Sequence, residues 1–196
     1  MCGRYALRNY KTAEEQFNCK IGVSRNNISP GQDILAITDG IKKMKWGFTP
    51  YWADKPFNLI NARSETLDSK PSFKNAGRSL ILSDGWYEWK HEGDKKIPYF
   101  HFLYDKIFCF AGVYGGFRGE MGCAILTKEA PESLKKVHDR TPVIIEKSRY
   151  KDWLEGNLQD IYSSSLYEEI EYYQVSSYVN NPQVDDVECF KEVDQL

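Results

Sequence analysis

Strand-like runs over 33–38 and 41–48 flank Asp39-Gly40. Two such runs around an Asp-Gly pair predict a β-hairpin closed by a two-residue turn. A short apolar run at 80–83 leads into a stretch where Trp86, Glu88 and Lys90 would share one strand face, with Tyr87 and Trp89 on the other. Runs at 97–104 and 107–114 predict a second hairpin turning at Asp105-Lys106. Further strands are expected over 121–127, 143–145 and 172–176, with a last short edge strand at Cys189-Phe190. Helical patterns are short. They cover 11–18, with Thr12 as N-cap and Glu15 in capping-box position, then 62–67 behind Asn61 as cap, 131–137, 148–154 and 164–170. Residues 24–32 and 178–182 read as loop and turn, and no repeat, linker or low-complexity tract divides the chain, so 1–196 reads as one domain.

Composition narrows the setting. The 196 residues hold five widely spaced cysteines (Cys2, Cys19, Cys109, Cys123, Cys189) and no Cys-x-x-Cys pair, so neither a disulfide framework nor a zinc site is indicated. A reducing compartment is the natural setting. The start of the chain lacks the basic-then-apolar order of a signal peptide, and no apolar run is long enough to span a membrane. A formal net charge of −2 argues against a general polyanion binder and leaves room for a local basic cleft.

Several residues carry candidate chemistry. Cys2 follows the initiator Met1, and loss of Met1 would place an α-amine and a thiol on one residue. Such an aminothiol condenses with an aldehyde to a Schiff base and closes a thiazolidine ring. An α-amine titrates near ~8, so a useful fraction is free at neutral pH. A cysteine beside a frayed terminus is the plain alternative. Trp46, in an aromatic row running to Trp52 and broken by Gly47 and Pro50, is either core or part of a wall for flat ligands. Arg63 at a helix start opposes the macrodipole unless it meets a bound anion. Glu88 between Trp86 and Trp89 is either a solvated strand glutamate or a desolvated general acid. His138, beside Asp139 at a helix-to-strand junction, is either structural or a proton carrier. His91 and His101 have less to recommend them.

In order and spacing, Met-Cys-Gly-Arg-Tyr at the start, Pro30-Gly31-Gln32, Trp46-Gly47-Phe48-Thr49-Pro50, 61–66, Asp84-Gly85-Trp86-Tyr87-Glu88-Trp89, Ala111-Gly112, His138-Asp139-Arg140 with Pro142-Val143, and Val175-Ser176 with Val179-Asn180 resemble the SRAP (SOS-response-associated peptidase) family. Two neighbouring positions depart from it, Thr141 where methionine is common and Trp86 where phenylalanine is common. The resemblance implies a single α+β domain with a β-barrel-like antiparallel core flanked by short helices. It implies that Cys2, freed of Met1, forms a thiazolidine crosslink with the aldehyde of an abasic site in single-stranded DNA. Asn61, Glu88 and His138 would surround that linkage. Arg4, Arg63 and Arg140 would hold phosphates, and Trp46 and Trp89 would lie near the DNA. No metal or organic cofactor is implied. The expected protein is a monomer with no membrane partner, cytoplasmic and nucleoid-associated in a bacterium or nuclear in a eukaryote.

Glu88 is the expected acid for opening the sugar, His138 the proton shuttle or holder of the released hydroxyl, and Asn61 the positioning amide. Two other functions fit parts of the chain. One is an N-terminal-cysteine amide hydrolase or protease, whose most plausible substrate is the chain's own Met1. The other is a non-covalent single-stranded DNA-binding module.

Overall fold

The computed structural model describes residues 2–193. Its strands are β1 (Arg4–Leu7), β2 (Arg25–Ile28), β3 (Asp33–Ile37), β4 (Ile41–Trp46), β5 (Asn61–Arg63), β6 (Gly77–Ser83), β7 (Gly85–Glu92), β8 (Lys95–Phe102), β9 (Phe108–Phe117), β10 (Glu120–Glu129), β11 (Arg140–Pro142), β12 (Ile144–Ile145) and β13 (Glu171–Gln174). Short helices α1 (Tyr10–Phe17), α2 (Glu132–Lys135) and α3 (Tyr150–Glu155) flank them.

Five strands close a ring. Starting from β10, neighbours run β4, β3, β6, β9 and back to β10. Closure removes the exposed edges that an open sheet of this size would present. The contacts of β10 with β4 and β5 are parallel, and the others in the ring are antiparallel. The β4–β10 junction is tight enough to demand glycine, since a Cβ at Gly122 would stand 2.4 Å from the Gly47 carbonyl oxygen. A second sheet, ordered β13-β8-β7-β1-β2, packs on this barrel. The alternation in β7 is as the sequence predicts. Trp86 enters the barrel-side core, while Tyr87 and the flanking Trp89 join a second core with Phe100, Val175, Val179 and Cys189. Trp86 meets Phe110 edge-on at 6.0 Å, and Tyr5 meets Trp46 at 5.3 Å, the offset geometry aromatic quadrupoles prefer.

Asp84, buried between β6 and β7, explains the Asp-Gly of that motif. Its carboxylate accepts from the Arg8 amide at 2.9 Å, the Asn9 amide at 2.7 Å and Arg8 Nε at 3.3 Å, pinning the chain between β1 and α1. Asp84→Ala would strand these donors and is expected to cost roughly 2–4 kcal/mol. A denaturant midpoint that falls with an unchanged m-value is the expected readout.

Several local expectations are corrected. The first hairpin forms, but Ile37 pairs with Ile41, so its loop is the three residues Thr38-Asp39-Gly40. Helix α1 begins at Tyr10, and its N-cap Asn9 makes no side-chain capping bond. Asn61 caps no helix. It opens β5, and only 64–66 form a 3₁₀ turn. The strands expected at 97–104 and 107–114 exist but are not a hairpin: β8 pairs with β7 and β13, and β9 with β6, β10 and β12. The tight turns lie instead at Gly93-Asp94 and Arg118-Gly119, where Glu92 faces Lys95 and Phe117 faces Glu120. Both turns have a residue with positive φ, Gly93 at 58° and Gly119 at 86°, the conformation that glycine supplies without steric cost. The expected edge strand at Cys189-Phe190 is a 3₁₀ turn, 187–190.

Candidate active site

The N-terminal segment enters along β1, which pairs antiparallel with β7 with Arg4 opposite Tyr87 and Tyr5 opposite Trp86. That register carries Cys2 toward the Glu88-Trp89 end of β7. Cys2 is fully buried, and its thiol reaches the Arg4 carbonyl at 3.8 Å. Burial raises the thiol well above its ordinary range, and nearby Glu88 raises it further. Glu88, 2% exposed, is a strand carboxyl taken out of water. Burial pushes it up to about 7, with Asp139 adding to the rise.

Glu88 and His138 line one surface cavity of about 350 Å³, together with Trp89, His91, Lys96 and Asn180. His138 follows α2 and precedes β11, at the junction the sequence predicts. Its Nδ1 accepts from the Arg140 amide at 2.9 Å, which leaves the ring proton on Nε2. The Asp139 carboxylate also lies 2.9 Å from Nδ1. With Nδ1 already accepting and burial lowering the imidazole below its usual range, this contact is not an ion pair.

Asn61 does not line that cavity. It stands on β5, laid parallel on β10, which also carries β11 beyond His138. Its amide nitrogen donates to the Ile125 carbonyl at 3.4 Å, while its buried Oδ1 has no partner among the described residues.

The cations divide. Arg4 is committed to the fold: Nη1 donates to Asn27 Oδ1 and to the Val179 carbonyl, both at 2.9 Å, and Nη2 to the Asn180 carbonyl at 3.2 Å. It ties β1 to the chain segment over the second core. Arg140 forms a fork with Glu65, at 2.6 and 2.9 Å, and also donates to the Thr127 carbonyl at 2.7 Å. That pairing holds Glu65 down at about 2. Arg63 alone of the three is exposed.

The tryptophans divide as well. Trp46 has no exposed surface, and its indole N–H donates to the Ile60 carbonyl at 2.9 Å, so the expectation that it meets DNA is corrected to a core role. The exposed aromatics of that region are Tyr51, Trp52 and Phe57, at 68, 48 and 41%. Trp89 stays at the cavity wall, its indole donating to Asn180 Oδ1 at 2.8 Å. Asn180, His91 and Lys96 escaped sequence reasoning as lining residues. The Gly93-Asp94 turn was the available signal, since it sets His91 opposite Lys96. Among the described residues no His, Cys, Asp and Glu group could hold a metal ion, and no helix is long and apolar enough to cross a membrane.

Known proteins resemble this chain along most of its length. It is 36% identical to the abasic site processing protein YoqW of Bacillus subtilis, over 93% of this chain and 95% of that one. It is 33% identical to YedK of Escherichia coli (74% of this chain, 70% of that one), and 28% identical to HMCES of Gallus gallus (88% and 62%), both also named abasic site processing proteins. A crystal structure of a Bacteroides thetaiotaomicron protein superposes with a TM-score of 0.82 at 23% identity, covering 98% of this chain and all of that one, and shows a shared fold. A family model for the SOS response associated peptidase (SRAP) matches residues 1–182, and the chain belongs to that family.

Proposed function

We propose that this protein captures abasic sites in single-stranded DNA as a covalent thiazolidine through Cys2 after Met1 is removed. The observation that carries the reading is Glu88, a buried carboxyl raised to about 7 beside the Cys2 thiol, in a surface cavity with His138. The family's abasic-site-processing relatives support the lesion class.

An abasic deoxyribose rests mainly as a closed hemiacetal. Glu88 in its acid form protonates the ring oxygen as the hemiacetal hydroxyl gives its proton to solvent water, and the ring opens to an aldehyde and a free sugar hydroxyl. His138, with Nδ1 accepting from the Arg140 amide, uses Nε2–H to donate to that hydroxyl and delays reclosure. The Cys2 amine adds to the aldehyde carbon, and water leaves to give a Schiff base. The thiol then adds to the imine carbon. Its proton passes to the Glu88 carboxylate and on to the ring nitrogen, so aminothiol and aldehyde yield thiazolidine plus one water. A raised thiol suits this order, because the sulfur is needed after the amine. It suits a cysteine peptidase poorly, since amide attack calls for a ready thiolate. Asn61 Oδ1 accepts from the amine or from a sugar hydroxyl. Arg63 meets phosphate, and Trp89 offers a stacking face.

The test is intact-mass spectrometry of the protein mixed with a single-stranded oligonucleotide bearing one abasic site. The expected product lacks Met1 and has the summed mass of both parts less one water. Its absence when Met1 is demonstrably gone would overturn the reading.

A further inference from the structure

Resting on that reading, the geometry points to a phosphate subsite at the tip of the β7–β8 hairpin: Lys96 and His91 receive the backbone phosphate of a nucleotide flanking the lesion.

His91 and Lys96 face each other directly across the two strands, and both are exposed. Opposed residues on one face of an antiparallel pair have side chains within ~5 Å of each other at Cβ, so the two nitrogens can converge on one anion. They line the same cavity as Glu88 and His138, with Trp89 two residues before His91 on the same face. Cations beside an aromatic face are the arrangement by which proteins track a single strand, phosphates on the charges and a base on the ring.

The distribution of charge favours the same place. Arg4 directs its two terminal nitrogens to Asn27 and two carbonyls, and Arg140 directs its own to Glu65 and Thr127. A chain of net charge −2 must concentrate what positive charge remains at the strand it binds. Around the hairpin, Lys90 is neutralised by Glu92 at 2.5 Å, and Lys95 falls on the face opposite Lys96. Lys96 makes no ion pair among the described residues. Its ammonium also offsets the repulsion a phosphate would feel from Asp139, and from Glu88 once that carboxyl ionises.

Binding of an undamaged single-stranded oligonucleotide, followed by fluorescence anisotropy across a salt series, reads the subsite directly. Removing one cation from a backbone phosphate lowers the log–log salt slope by about 0.7. Lys96→Ala is expected to lower the slope by about that amount and to weaken binding several-fold at low salt. Lys96→Arg should retain the slope, and Lys95→Ala should match the unaltered protein. His91→Ala, which removes a hydrogen-bond donor, should weaken binding at low salt. At subsaturating abasic oligonucleotide the rate of adduct formation should fall in Lys96→Ala in step with the weaker binding. An unchanged slope in Lys96→Ala, or an equal loss in Lys95→Ala, would overturn the subsite while wild-type adduct formation stands. A wild-type protein that neither binds the strand nor forms the adduct would remove the underlying reading, and the subsite with it.

Discussion

Cys2→Ala should yield no adduct that survives denaturing electrophoresis, at any DNA concentration. Alanine keeps an α-amine after Met1 removal, so it can still reach the Schiff base, which water reverses. Only the thiol closes the ring. Borohydride should therefore trap a product from the alanine variant that is absent without reductant, and Cys2→Ser should behave nearly alike. The loss should not come from misfolding. Removing a buried sulfur costs roughly 1–2 kcal/mol, and the β1–β7 pairing from Arg4 onward is left intact. A stable, reductant-independent adduct from Cys2→Ala would assign the linkage to another residue.

Glu88→Gln should slow capture by about a hundredfold or more, the lower range for losing a positioned general acid, while binding of undamaged strands holds. The pH profile makes the assignment sharper. Capture needs a free amine, which favours higher pH, and a protonated Glu88, which is lost as pH rises through about 7. Wild type should therefore show a bell, and the glutamine variant should lose the alkaline fall. Stability should move the other way. Unfolded Glu88 ionises near the ordinary 4.5, whereas the folded carboxyl holds its proton to about 7. Between those values the unfolded state gives up a proton that the folded state keeps, so wild-type stability drops across that window and stays lower above it. The full difference is on the order of 3 kcal/mol. Glutamine carries no such penalty, so Glu88→Gln should gain on wild type as pH goes from 4 to 8, in a denaturant titration at each end. A variant that is slower and also less stable at pH 8 would mean that Glu88 is a structural carboxylate rather than a stored acid.

Much of the local structure was legible because it is set by neighbours in sequence. Alternation placed Trp86 and Glu88 on one face of β7 and Tyr87 on the other, and the Asp39-Gly40 signal located a hairpin to within one residue of loop. Pairing between distant segments was not legible. The runs at 97–104 and 107–114 are adjacent and both strand-like, which is what a hairpin looks like, yet β8 and β9 belong to different sheets. Asn61 met the rule for a helix cap and became a strand residue, because β10 offered a parallel partner to its backbone. Local propensity is worth tenths of a kcal/mol per residue, and a ladder of tertiary hydrogen bonds outweighs it.

The sequence by itself determined the groups available: a thiol at Cys2 directly after Met1, a carboxyl set among aromatics at Glu88, an imidazole at His138, and the order of motifs that marks the family. Reactivity of this kind resides in residue type. Only the tertiary structure decided which groups are free to use it. Burial placed Trp46 inside the barrel and moved the exposed aromatic surface to Tyr51, Trp52 and Phe57. Long-range hydrogen bonds tied Arg4 and Arg140 to the fold and left Lys96 at the cavity without an ion pair among the described residues. Desolvation turned Glu88 from an ordinary strand glutamate into a group balanced near neutrality. Burial and pairing depend on segments far apart in the chain, so no local pattern carries them.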